Sequence, residues 1–236
     1  MNGTKKESIG TLAEKSLHAA LKYYLEPDDS FHEVKIGRSI ADIAKDREIV
    51  EIQTRALYRL APKLSTFLVE NAVTIVYPII TEKMLLDIDA QTGVVSKRKS
   101  PKKGRALDAL GELYRLRAFL PHPRLCVRVM MLHAEETRTK QGSRMDKLDI
   151  LPTALTEEYF LREPRDYAAL LPVSLRVTFT TAELAKEAKT KLRTAQNAVN
   201  LLVHLGVLER TGKKGRYFTY QRKNSWKIDH FDIRRI

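Results

Sequence analysis

Residues 40–54, IADIAKDREIVEIQT, decide how the rest of the chain is interpreted. The stretch predicts two short strands joined by a tight polar turn at Asp46-Arg47. Side chains alternate between the faces of a strand, and a hairpin centred on this turn places Asp42 directly opposite Glu51. Two facing carboxylates destabilise a ladder, whereas a shared divalent cation bound by their oxygens makes the pair favourable. The stretch therefore predicts a metal site at Asp42 and Glu51, with a solvent-exposed strand face as the alternative.

The composition limits the function classes. The chain of 236 residues can hold one large domain, or a medium domain and a small one. It contains no apolar run of about 18 residues, so no membrane span is expected. The amino terminus lacks an apolar signal region, which predicts a cytoplasmic protein. The single cysteine, Cys126, excludes an intrachain disulfide and a cysteine-based zinc cluster. No glycine-rich phosphate loop or dinucleotide fingerprint occurs, so no nucleotide cofactor is expected.

Positive charge is concentrated in the last third of the chain. The formal net charge is +13, and residues 171–236 carry 14 lysines and arginines against 5 acids. Clustering of this kind is the electrostatic footprint of a polyanion binder. DNA is therefore the expected partner, with solubility alone as the alternative, and a homodimer is left open.

The elements around the opening stretch follow the order helix, strand, strand, strand, helix, strand. In the first helix, Thr11 and Glu14 have the spacing of a capping box. In the second helix, Pro62 is expected to cause a kink or an interruption. The predicted elements are a helix over 9–25, a strand over 31–37, the hairpin over 40–54, a helix over 55–70 and a buried strand over 73–80.

The middle of the chain has weaker patterns. A charged segment at 96–105 has the composition of an exposed loop. The segments that follow are a helix over 105–119, a buried strand over 125–133, an irregular polar stretch over 138–150, and short helices with a connection over 151–172. Pro152, Pro164 and Pro172 favour the last of these interpretations.

The last third predicts two helices and a basic hairpin. Thr180 and Glu183 form a second capping-box spacing and open a helix over 181–188. A longer amphipathic helix over 191–205 ends at Gly206. It leads into LLVHLGVLERTGKKGRYFTYQ, residues 201–221. Residues 174–223 resemble a winged helix-turn-helix module in this order of elements.

The winged-helix resemblance implies particular DNA contacts. The first turns of a recognition helix read base edges in the major groove, and the wing binds phosphates. A winged helix used for dimerisation or as a scaffold is the alternative. The implied base-reading residues are Lys191, Arg193, Thr194, Gln196 and Asn197, and the implied phosphate-binding residues are Lys213, Lys214 and Arg216.

Residues 9–135 resemble the PD-(D/E)xK nuclease family. The resemblance rests on the element order, on Glu14 in the first helix, on Asp42, and on Glu51-Ile52-Gln53. It implies a restriction-endonuclease-like α/β fold with a mixed central sheet flanked by helices. It also implies Glu14, Asp42, Glu51 and Gln53 as catalytic residues, with Mg²⁺ or Mn²⁺ bound by Asp42 and Glu51.

One position departs from the family pattern. Gln53 stands where the nuclease family usually keeps a lysine. A glutamine can orient water or phosphate by hydrogen bonding, but it cannot supply a positive charge or a proton. Lys15 and Lys35 are the candidates to replace the missing charge.

The sequence thus predicts a nuclease-like α/β domain over 1–150, a connecting segment over 151–171, and a winged-helix domain with a tail over 172–236. The leading function is a Mg²⁺-dependent DNA endonuclease that hydrolyses phosphodiester bonds. Gln53 favours a second hypothesis, in which a catalytically degenerate nuclease fold acts as a DNA-binding regulator or assembly protein. A protein-interaction module without a DNA role is the third.

Overall fold

A large mixed sheet with helices on both faces forms the centre of the molecule. The computed structural model describes residues 9–142 and 144–223, with side-chain surroundings from Leu17 onward. Its helices are α1 (Ile9–Leu25), α2 (Ala61–Phe67), α3 (Ala106–Leu113), α4 (Thr181–Glu187) and α5 (Leu192–His204). Its strands are β1 (His32–Ile36), β2 (Ser39–Lys45), β3 (Glu48–Ile52), β4 (Ala72–Asp89), β5 (Val95–Lys99), β6 (Leu125–Gln141), β7 (Arg144–Leu161), β8 (Thr178–Thr180), β9 (Leu208–Lys214) and β10 (Tyr217–Arg222).

The central sheet has seven strands, in the order β1-β2-β3-β4-β6-β7, with β5 paired to the far half of β4. β3 runs parallel to β4, and β4 runs parallel to β6. The other pairs in this sheet are antiparallel. The predicted α/β class with a mixed sheet flanked by helices is therefore confirmed, as is the element order through β4.

The β2–β3 hairpin forms as predicted. Asp46 and Arg47 both have positive φ, 47° and 67°. This is the signature of a type I′ turn, whose twist matches that of the flanking strands. Ile43 pairs with Val50, so the register is the predicted one.

Two apolar clusters cover the two faces of the central sheet. Alternate residues of β4 enter different clusters, with Ile75 in one and Val76 in the other. The smaller cluster lies beneath α1, which contributes Leu17 and Leu21. The larger cluster takes in α2 and α3 and continues into α4 and α5. Each fully buried leucine contributes roughly 2 kcal/mol. The helices on both faces of the sheet therefore add substantially to stability.

The helix predicted over 55–70 is shorter and divided. A 3₁₀ helix occupies Leu57–Leu60, and α2 follows at once. Pro62 lies in the first turn of α2, where a missing N–H costs nothing because that group has no intrahelical partner. The predicted helix is therefore interrupted just before Pro62, and Pro62 itself lies in the first turn of α2.

The prediction of irregular structure over 138–150 is wrong, and the prediction of short helices with a connection over 151–172 holds only for the second half of that segment. β6 and β7 form one long hairpin that turns at Gly142, and only Pro164–Leu170 in the latter segment is helical, as a 3₁₀ helix. The distal strands pair charged residues across the sheet, as in the ion pairs Arg138–Asp87 and Lys97–Glu135. These pairs stabilise strands without the apolar alternation on which the prediction depended. For the same reason, the first part of the loop predicted over 96–105 belongs to β5, which covers Val95–Lys99.

The C-terminal elements match the prediction closely. α4 is capped by Thr180, whose hydroxyl accepts from the Glu183 N–H while Glu183 accepts from the Thr180 N–H. Gly206 has φ 73° after α5, and Gly215 has φ 60° in the β9–β10 turn. The three-stranded sheet has the order β8-β10-β9. Residues 224–236, the predicted tail, lie outside the described part of the chain.

α3 joins the two parts of the molecule. Asp108 Oδ2 accepts from the Arg105 N–H at 2.8 Å, and its Oδ1 accepts from the Thr190 hydroxyl at 2.8 Å. One turn later Gly111 lies so close to α5 that a β-carbon there would be 2.8 Å from Thr194 Cγ2. Of the helices within 9–142 and 144–223, none combines the length and apolarity of a membrane span.

Candidate functional site

Asp42, on β2, is bound on one oxygen by two groups. Its Oδ2 accepts from the Ile52 N–H at 2.7 Å and lies 3.1 Å from His18 Nε2 on α1. Burial alone raises the pKa of the Asp42 carboxyl. The hydrogen bonds from His18 and Ile52 and the charges of His18 and Lys63 outweigh burial, so its pKa lies below the usual value. Asp42 is therefore an anion at neutral pH.

Glu51, on β3, is the most buried acid of the site, with 2% of its surface exposed. Both of its oxygens accept from Lys63 Nζ, at 2.9 and 2.8 Å. Burial raises the pKa of Glu51 to about 7, with a further contribution from the Asp42 charge, although Lys63 acts in the opposite direction. Glu51 therefore changes its protonation state near neutral pH while it is in contact with Lys63.

The two carboxylates are close enough to influence each other, but the ladder does not pair them. β2–β3 pairing ends at Ile43 and Val50, and the Asp42 carboxylate takes the Ile52 N–H instead. Asp42 turns to α1 and Glu51 to α2. We call His18, Asp42, Glu51 and Lys63 the hairpin cluster. Within the described residues, no three histidine, cysteine or acidic side chains converge as a metal-binding group.

A third predicted catalytic residue, Gln53, is not brought into this cluster. Gln53 donates its side-chain N–H to the Arg55 carbonyl two residues away, so its amide faces the following loop. Glu14 belongs to the backbone of α1, but its side chain lies outside the described residues.

The lysine beside Glu51 comes from an unpredicted place. Lys35 is exposed on β1, and the side chain of Lys15 is outside the described set. The lysine that contacts Glu51 is Lys63 on α2. Its inward position could have been inferred from helical spacing, because it lies three residues after buried Leu60 and four before buried Phe67. A lysine on the inward stripe of a helix needs a buried partner.

His18 is the second residue that sequence reasoning missed. A histidine on an amphipathic helix is usually a packing or solvent-facing residue, and the six histidines show no ligand spacing. Only the three-dimensional approach of α1 to β2 reveals its contact with Asp42.

The predicted DNA-binding residues separate into two sets. Lys191, Arg193 and Gln196 are exposed on the first turns of α5, and Asn197 is half-buried beside them. Lys213 is exposed in the β9–β10 hairpin and lies 5.3 Å from the Phe218 ring centre.

Three residues of the predicted interface have contacts within the protein. Thr194 is half-buried, and its methyl group lies against Gly111 of α3. Lys214 is paired with Glu183 Oε1 at 2.9 Å. Arg216 donates to the Tyr217 hydroxyl at 3.0 Å and stays exposed.

The fold and site define a mixed α/β protein with a buried acid–lysine pair at its hairpin and a basic helix–hairpin unit. The chain belongs to the family described as Domain of unknown function (DUF8091), which matches residues 15–157, more than half of its length. An uncharacterized protein of Treponema pallidum (strain Nichols) is 34% identical over 167 residues. That similarity covers 69% of this chain and 66% of the treponemal protein, just under two thirds. No solved structure matches the chain.

Proposed function

We propose that this chain is a DNA-binding protein whose nuclease-like α/β domain hydrolyses phosphodiester bonds with Mg²⁺ or Mn²⁺. The supporting observation is the Glu51–Lys63 pair beside Asp42. The PD-(D/E)xK pattern needs two acids and a lysine, and Gln53 breaks it in the sequence. Lys63 brings a positive charge to the same acids from α2. A restriction-endonuclease-like fold is part of this proposal.

The donor chemistry of the hairpin cluster fits a divalent cation. Asp42 is ionised, and the raised pKa of Glu51 means that a nearby cation strongly favours its charged form. The Lys63 ammonium already bridges both Glu51 oxygens, as a positively charged stand-in. Asp42, Glu51 and the Ile52 carbonyl would hold the ion. When bound, it would acidify a water molecule and offset charge on the phosphate.

The other residues of the cluster act on these acids. His18 and the Ile52 N–H keep Asp42 ionised, which makes it a hard oxygen ligand. Lys63 supplies the charge that Gln53 cannot, both to Glu51 and to an approaching phosphate. Glu14 stays a predicted catalytic residue on α1.

The proposal is tested with supercoiled plasmid in Mg²⁺, Mn²⁺ or EDTA. We expect metal-dependent nicking that falls more than about a hundredfold in Asp42→Asn, because a metal ligand is lost. Asp29→Asn, an exposed acid outside the hairpin cluster, is the matched control and should cut like the wild type. Equal nicking by both variants would contradict the proposal.

One observation favours the catalytically degenerate alternative. Both carboxylates are already satisfied inside the protein, by His18 and the Ile52 N–H and by Lys63. In that case the chain binds DNA as a regulator or assembly protein and does not cut it. The plasmid experiment separates the two functions, because a catalytically degenerate protein would bind the plasmid, in EDTA and in metal, without nicking it. A protein that binds no DNA even at low salt, where phosphate contacts are strongest, would support the protein-interaction module.

The C-terminal unit is proposed as the DNA-binding winged helix. Its two helices, its basic hairpin and the exposed cations Lys191, Arg193 and Lys213 support this assignment. The division into an α/β domain and a winged-helix domain, and a cytoplasmic location, belong to the same proposal.

A further inference from the structure

A groove separates α5 from the β9–β10 hairpin. It has a volume of about 450 Å³. Polar residues of α5 line one wall, and aromatic residues of β10 line the other. Tyr114, from the 3₁₀ helix after α3, also lines it, so the α/β part of the chain helps to form the groove.

The helix wall offers hydrogen-bonding groups at regular intervals. Arg193, Gln196, Asn197 and Asn200 all line the groove, at the three- and four-residue spacing of one helix face. Glutamine and asparagine amides carry both donors and acceptors, which suits the edges of unpaired bases. Arg193 is exposed and adds positive charge to this wall.

The hairpin wall offers aromatic faces beside cations. Tyr217 and Phe218 are 48% and 37% exposed, which is high for side chains of this size. The Arg210 guanidinium lies 3.1 Å from the Phe218 ring centre, and the Arg216 guanidinium lies 5.2 Å from that of Tyr217. Aromatic side chains in a positively charged groove are typical of sites that stack the bases of a single strand.

The shape of this region distinguishes a single strand from a duplex. A recognition helix must protrude to enter a major groove about 12 Å wide. Here one side of the first turn of α5 lies against α3, where Thr194 packs on Gly111. On its exposed side, Arg193 and Gln196 line the groove. The polar face of α5 therefore lines a concavity, which a single strand can enter with its bases splayed.

We propose that this groove binds single-stranded nucleic acid. Bases stack on Tyr217 and Phe218, the amides of α5 contact base edges, and Arg193 and Arg216 bind the flanking phosphates. This inference rests on the proposed nucleic-acid binding and names its substrate class. It does not depend on cleavage by the hairpin cluster.

The test compares fluorescence anisotropy of a labelled 20-nucleotide single strand with that of the matching duplex, in EDTA and using the full chain. We expect the single strand to bind more tightly. Phe218→Leu and Tyr217→Leu should each weaken single-strand binding roughly tenfold, because a stacking face is lost while an apolar side chain remains. Tyr24→Leu is the matched control, since Tyr24 is 56% exposed on α1, far from the groove in the fold, and it should leave affinity unchanged.

The outcomes separate this inference from the broader function. Tighter binding of the duplex, unaffected by Phe218→Leu and Tyr217→Leu, would overturn the single-strand groove and keep DNA binding. Absence of binding to both probes at low salt would overturn both. Equal weakening by Tyr24→Leu would show that the losses are not specific to the groove and would also overturn the inference.

Discussion

The hairpin cluster and the α5–hairpin groove use charge in opposite ways. In the hairpin cluster the charged groups are paired with one another and half-buried or buried, and Glu51 is only 2% exposed beside Lys63. In the groove the charged groups are at the surface, and most stand beside aromatic rings. Buried pairs respond strongly to loss of a partner and to pH. Exposed cations respond to salt and to the arrival of a polyanion.

The largest effect is expected when Glu51 loses its partner. Lys63→Met should lower the free energy of unfolding at pH 9 by about 3 kcal/mol, because the carboxylate left without a cation can regain stability only by binding a proton two pH units above its pKa of about 7. Lys45→Met is the matched control. Its pair with Glu26 is 3.2 Å long and its side chain is 47% exposed, so its loss should cost less than about 1 kcal/mol. Urea unfolding measures the free energy of unfolding of both variants, and a similar loss in each would contradict the prediction.

A pH dependence of stability should follow from Glu51. Its pKa is about 7 in the folded protein against an ordinary value of 4.5, so the folded state holds the proton to higher pH. Stability should therefore decline as pH rises from about 4.5 to about 7, by up to roughly 3 kcal/mol.

Glu51→Gln is the variant that checks this component. It should remove the decline, which is measured by urea unfolding at several pH values in that window. The lowered pKa of Asp42 has the opposite sign and acts below the window, where stability is lost as pH falls. A decline that persists unchanged in Glu51→Gln would assign it to another group.

The contact between α3 and α5 should show an intermediate effect. Gly111→Ala places a β-carbon 2.8 Å from Thr194 Cγ2, and overpacking of this kind costs about 1–3 kcal/mol. Adding Thr194→Ser removes the opposing methyl group and should recover most of the loss. Gly212→Ala is the control, because its nearest neighbour would be Thr219 Oγ1 at 3.6 Å, an ordinary contact. Failure of the double variant to recover stability would show that the contact is not the cause.

The smallest effect is expected at two neighbouring lysines. Lys214 is held by Glu183, whose pKa is lowered to about 2 by its bonds to Thr180 and Lys214, whereas Lys213 is exposed beside Phe218. Lys213→Ala should reduce the salt dependence of DNA binding by about one phosphate contact. Lys214→Ala should change it less. Anisotropy titrations at several salt concentrations measure both slopes, and a larger change at Lys214 would refute the distinction.

Local patterns allowed much of the fold to be predicted. The hairpin register, α1 and the Thr180 cap all follow from short-range rules of turn, period and capping. The prediction failed over β7, where charged residues on both faces hide the strand period. Cross-strand partners in β6 stabilise that strand, and the hydrophobic period of β7 alone does not show this pairing.

Only part of the candidate site could be predicted from the sequence. Asp42 and Glu51 are found from one hairpin, since their separation is set by a local turn. His18 and Lys63 reach them from helices, and no rule of sequence spacing relates a helix to the strand on which it packs. The contact of Thr194 with α3 was not predicted either, because helix periodicity does not say which neighbour covers the first turn.

Asp108 also has a consequence for the order in which the molecule assembles. One oxygen bonds within its own turn, and the other bonds to Thr190, 82 residues further along the chain. The local bond can form as soon as α3 is synthesised, whereas the distant one must wait until the loop of intervening residues closes. The start of α3 can therefore be stabilised before the C-terminal unit is in place, and docking of that unit adds the second bond to the same carboxylate.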